Sequence, residues 1–156
     1  MKLPKQLVQE KVESDVRAVL EKESIELCSD SNIYIPVLKL NPELRKQIFY
    51  AKFIDELIIG YRDVEKTLGN ELHGLQNVKN KSDRVSRLLI VTNDGSPRFY
   101  NQLKFLHQKQ GGRVLICRLD VDSLLMGNIL ELKNKQVKAV LLNRKKSVGN
   151  VLKSLL

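Results

Sequence analysis

The stretch of this chain best equipped to bind something is Ile59-Gly60-Tyr61-Arg62-Asp63-Val64-Glu65-Lys66-Thr67-Leu68. A short apolar run from Leu57 reaches a glycine and two charged residues, after which Val64, Leu68 and Leu72 recur at helical spacing. Gly60 before a helix lets backbone amides approach a ligand closely. Free N–H groups and the positive end of the helix dipole then favour an anionic or acceptor-rich partner. Arg62, Asp63 and Lys66 project from the first turn and a half. Arginine can form bidentate bonds to phosphate or to a guanine edge, and aspartate can accept from a guanine amino group. On spacing alone, a capped helix with Asp63 serving the dipole reads equally well.

The remaining chemistry-bearing residues form a thin inventory. The two histidines, His73 and His107, fall in helical stretches beside apolar or lysine neighbours and read as surface or boundary residues. There is no GxSxG elbow, HExxH, Walker loop or GxGxxG. Asp94, Asp120 and Asp122 follow strand-like segments, but caps and turns account for all three carboxylates. No acidic pair precedes Leu88 to complete a phospho-acceptor pocket. Cys28 and Cys117 lie outside any CxxC or Cys/His spacing and read as reduced intracellular thiols. These residues predict no enzyme active site, no metal and no cofactor.

Charge points elsewhere. Residues 1–75 hold 11 Lys/Arg and 13 Asp/Glu, whereas residues 76–156 hold 16 and 5. Such asymmetry between halves is the footprint of a polyanion binder; its bland counterpart is a basic surface kept for solubility. Clustering favours the former, since Lys79, Lys81, Arg84 and Arg87 crowd one loop and Arg144-Lys145-Lys146 follow a strand. At 156 residues and 42% apolar, the chain suffices for one domain with a real core. No run approaches the ~18–20 apolar residues of a membrane span, and the first residues lack the order of a signal peptide.

Periodicity supplies the elements. Leu3, Leu7, Val8, Val12, Val16, Val19 and Leu20 predict an amphipathic helix, ended by Ser29–Asn32. Ile33–Leu38, interrupted by Pro36, reads as an edge strand or an ordered loop. Asn41-Pro42 caps a helix carrying Leu44, Ile48 and Phe53. Strands are predicted at Ile58-Ile59, Arg87–Thr92, Arg113–Leu119 and Val137–Leu142. Helices are predicted after Gly60, Ser96, Asp122 and Ser147, with Gly111-Gly112 stopping the second of these. The order implies an α/β protein: a three-layer α/β/α sandwich with a small mixed central sheet. Residues 1–40 read as an added N-terminal helical extension and residues 41–156 as the domain proper.

The Gly60–Leu68 block resembles the Gly-x-Asn-Glu-(Val/Thr)-x-Lys-x-(Leu/Ile) signature of the ribosomal L-seven-Ae family of kink-turn RNA binders. Leu88–Asp94 is similar to that family's apolar strand ending in Ala-x-Asp. Ser123-Leu124-Leu125-Met126-Gly127 stands where the family has its Ser-x-x-Glu-Leu-Gly turn, and Leu130-Glu131-Leu132 where it has an apolar RNA-facing loop. The likeness spans roughly residues 44–155. Lys66 matches the family lysine; Arg62 and Asp63 replace the Asn and Glu that read sheared guanine–adenine pairs. A basic patch with an added N-terminal helix is similar to the Pop-three/Rpp-thirty-eight-like branch found in ribonuclease P and MRP.

The resemblance implies a non-catalytic RNA-binding subunit of a ribonucleoprotein that matures tRNA leaders and ribosomal RNA precursors. It would sit in the nucleus and nucleolus, or alternatively in the cytoplasm. Its partners would be structured RNA and other protein subunits, with no membrane. The expected contacts are Gly60, Tyr61, Arg62, Asp63 and Lys66 to RNA, and Lys79, Lys81, Arg84 and Arg87 to phosphates. Leu130 and Leu132 would pack on an unstacked base. The competing expectation is a protein–protein adaptor that packs its partner against the apolar N-terminal helix.

Overall fold

Leu88, Leu89, Ile90 and Val91 are all fully buried, because the strand they form has helices on both of its faces. The computed structural model describes residues 1–78 and 82–156. Its elements are α1 (Lys5–Gln9), α2 (Glu13–Lys22), β1 (Ser24–Glu26), β2 (Tyr34–Leu38), α3 (Pro42–Phe53), β3 (Leu57–Ile59) and α4 (Tyr61–Leu75). There follow β4 (Arg87–Val91), α5 (Pro97–Gln110), a 3-10 turn (Gly111–Arg113), β5 (Val114–Leu119), α6 (Ser123–Ile129), β6 (Ala139–Leu142) and α7 (Lys145–Lys153).

The sheet order is β1-β2-β5-β4-β6-β3. Strands β2, β5 and β4 run parallel; β6 is antiparallel to both β4 and β3, and β1 is antiparallel to β2. Strand alternation splits the core into two layers. Leu88, Ile90, Cys117 and Leu142 pack under α1, α2, α3, α6 and α7, while Leu89, Val91, Ile116 and Leu141 pack under α4 and α5. The fold is a three-layer α/β/α sandwich around a mixed sheet.

Local signals set the element ends. Asn41 accepts from the Leu44 amide at 2.8 Å with Pro42 in the first turn, and Ser96 accepts from Phe99 at 3.2 Å with Pro97 behind it. Gly111 terminates α5 at φ 68°, the conformation that makes glycine the favoured stop.

The N-terminal segment corrects the sequence reading. The long helix is two helices, broken where Lys11 takes φ 59° and the Val12 amide reaches back to the Leu7 carbonyl at 3.0 Å. The break turns Val8 to solvent but buries Leu3, Leu7, Val16 and Leu20 in the same layer as α3 and α7. Strand β2 is itself a member of the main sheet. Residues 1–40 are therefore part of the domain and not an extension of it.

Nor is β2 an edge. The hairpin strand β1 covers its outer side, with Ser24 opposite Pro36. The Val37 amide donates toward β1, to the Glu23 carbonyl, so the Pro36 nitrogen faces β5. A proline has no N–H to give there, and the pairing with β5 begins only at Val37.

Candidate nucleic-acid interface

One end of the sheet gathers several segments. The Gly60 amide donates to the Ala139 carbonyl at 2.9 Å, and the Thr92 amide to the Lys138 carbonyl at 3.0 Å. These two bonds bring the start of α4, the start of β6 and the end of β4 to a single edge. Gly60 sits at φ 93°, and a Cβ built there would meet nothing within 4 Å. Its requirement is conformational, since few L side chains adopt that φ, and the space above it is open.

No side chain caps α4 at Gly60, so the amides of its first turn have no side-chain acceptor. Arg62, Asp63 and Lys66 are exposed, and Arg62 and Lys66 stand one turn apart on the face opposite buried Val64 and Leu68. Among the described residues none of the three forms a salt bridge. Tyr61 behaves differently. Its ring meets Phe99 edge-on, with centroids 5.4 Å apart and planes at 86°, which fixes α4 against α5. Burial, aided by the neighbouring Glu65 carboxylate, raises its hydroxyl pKa well above the usual tyrosine value. Tyr61 anchors the helix that carries Arg62.

The loop between α6 and β6 flanks this edge. Leu132 donates to the Gly127 carbonyl at 2.9 Å and Val137 to the Ser123 carbonyl at 3.0 Å, laying the loop across α6. A Cβ at Gly127 would fall 1.9 Å from the Lys135 carbonyl oxygen, so only glycine allows that approach. Lys133, Lys135 and Lys138 are exposed along it. Asp94 ties the whole corner down. Its carboxylate accepts the Ser123 amide at 3.0 Å, the Ser123 hydroxyl at 2.7 Å and the Thr92 hydroxyl at 2.8 Å. Burial pushes the Asp94 pKa up, but these bonds outweigh it and hold the group below the ordinary carboxylate value.

Other predicted contacts do not join this edge. Leu130 is fully buried and packs in the core, so it has no face for a base; Leu132 is half-buried against the same layer. Arg87 opens β4 and therefore lies at the opposite end of the sheet, roughly 13 Å along the strand from Val91. Its Nε donates to both Glu71 carboxylate oxygens, at 3.0 and 3.1 Å, and Arg113 shares that carboxylate at 3.1 Å. Arg84 is at that far end too, donating to the Leu3 carbonyl at 3.0 Å. Lys79 and Lys81 lie outside the described residues.

Two contributors escaped the sequence reading. Lys138 is hidden there inside an apolar strand pattern, yet it lies just ahead of β6 and is exposed, while Val137 and Ala139 on either side of it are buried in opposite layers of the core. Arg98, exposed in the first turn of α5, adjoins the Phe99 ring that Tyr61 touches. Asp120 and Asp122 are accounted for by structure. Asp120 accepts from Lys39 at 2.9 Å and Asn93 at 3.2 Å, and Asp122 caps α6 by accepting from Leu125 at 2.7 Å. No protein-family model matches the chain, and no curated protein matches it either.

Proposed function

We propose that this protein is a non-catalytic RNA-binding subunit of a ribonucleoprotein, of the kind found in ribonuclease P and MRP. The observation that carries the reading is the exposed cationic group at one end of the sheet. Arg62 and Lys66 stand on the first turns of a helix without a side-chain cap, at the same end of the sheet as exposed Lys138, which immediately precedes β6. Phosphate needs such unpaired cations and free amides, and irregular RNA adds base edges that Arg62 and Asp63 suit by chemistry. The resemblance of Gly60–Leu68 to the kink-turn-binding signature supports the same site. Asp94 and Gly127 hold the corner rigid, which limits the entropy lost on binding.

The adaptor reading is weaker, because the apolar face of α1 and α2 on which it relied is buried inside the domain. Purifying the tagged protein and sequencing its associated RNAs tests the proposal. One abundant structured RNA is the expected result; a diffuse mixture of unrelated RNAs would leave only a non-specific basic surface.

A further inference from the structure

The end of the sheet opposite Gly60 carries a cleft of about 840 Å³ between the start of α1, the last turn of α4, the segment before β4 and the start of α7. Its charge is unbalanced. Arg87 and Arg113, 18% and 11% exposed, share the single Glu71 carboxylate. That leaves one positive charge in a sheltered wall, where solvent screens poorly. Lys5, Arg84 and Lys145 add three more cations around the opening. The other lining carboxylate, Asp83, is already held by Lys2 at 3.2 Å. Among the described residues neither Lys5 nor Lys145 has a carboxylate within salt-bridge reach. Between the charges the lining is aliphatic, with Leu72 and Leu75 from α4 and Val85 beneath.

We propose that this cleft docks an acidic segment of a partner protein that carries aliphatic side chains between its carboxylates. Charge complementarity selects the acid: among the described residues five lining cations face two carboxylates, both already engaged. The aliphatic lining selects Leu, Ile or Val as anchors. Nucleic acid fits less well, because among the described residues no Phe, Tyr or Trp lines the cleft to stack a base. The cleft lies at the far end of the sheet from Arg62 and Lys66, so this inference stands independently of the RNA-binding proposal.

Fluorescence anisotropy of the full chain with a short dye-labelled peptide of repeated Leu-Glu-Glu tests it. Saturable binding is expected, with at least tenfold weaker binding of the matching Gly-Glu-Glu peptide. The double variant Lys5→Glu/Lys145→Glu should weaken the Leu-Glu-Glu complex about tenfold or more. Its fold should survive, since Lys5 is exposed and an acid in the first turn of α7 suits the helix dipole. Lys5→Gln/Lys145→Gln should show a smaller loss in the same direction. Arg62→Glu/Lys66→Glu should leave peptide affinity unchanged. Binding that does not saturate, that is equal for the glycine peptide, or that ignores the Lys5 and Lys145 changes overturns the proposal. Displacement of the peptide by an oligouridylate that is itself weakened by those changes would assign the cleft to nucleic acid instead.

Discussion

At the scale of single residues, Arg62 and Lys66 separate binding from folding most cleanly. Both are exposed on the polar side of α4, so Arg62→Glu/Lys66→Glu should keep a native circular-dichroism spectrum. Affinity for structured RNA should fall by about an order of magnitude or more, as reversed charges meet phosphate at short range. A folded variant with unchanged affinity would remove the site from this end of the sheet. Gly60 tests the backbone beside them. With φ at 93° and open space around it, Gly60→Val meets no neighbour but must strain its own backbone, at a cost of about 1–3 kcal/mol. The melting temperature should drop by several degrees, and RNA affinity of the folded fraction should drop as well. A loss confined to stability makes Gly60 scaffold alone. Gly60 was legible in the sequence because a glycine between an apolar run and a helical stripe has few uses. Leu130 was not, because a leucine facing RNA and one facing the core leave the same letter.

At the scale of elements, Asp94 joins β4 to α6, and its protonation state has a thermodynamic signature. The native pKa lies below the ordinary carboxylate value, so its contribution is complete above that value and fades as pH falls through the native one. Asp94→Asn should therefore lower stability by about 1–2 kcal/mol near neutral pH, with solvent screening keeping the loss modest. The gap between variant and wild type should narrow as the solution is acidified into the carboxylate range; denaturant titrations at several pH values measure it. A gap independent of pH would mean that shape, not charge, holds the corner. Capped helices were the most legible elements: Asn41-Pro42 and Ser96-Pro97 announced α3 and α5 because capping chemistry is local. Less visible was the last helix, which begins at Lys145 after Arg144, while Ser147 is buried and donates to Glu56. The hairpin strand β1 had no local signature, since Ser24-Ile25-Glu26 is extended only because β2 pairs with it. The ion pair of Arg87 was hidden for a related reason, as nothing near it in sequence names Glu71 as its partner.

For the molecule as a whole, the buried N-terminal face makes the domain indivisible. Burial of Leu3, Leu7, Val16 and Leu20 contributes roughly 1.5–3 kcal/mol each, a sum comparable to the roughly 5–15 kcal/mol by which a domain of this size is stable. A fragment of residues 41–156 should therefore lack a cooperative thermal transition, and a sharp one would restore the view of residues 1–40 as an extension. The order of pairing has a consequence for synthesis on the ribosome. Three early elements wait for late ones: β2 for β5, β3 for β6, and α1 for α7, where Lys153 reaches Glu10 at 2.8 Å. At ~5–20 residues per second, the nascent chain carries unpaired strands and bare leucines for several seconds before β6 and α7 emerge. Folding cannot run ahead of translation, so a chain stalled before Ala139 should remain open to proteases and bound by holding chaperones. Release of the completed chain should abolish both together, and protection that builds up before β6 is made would mean that the first half folds without its partners.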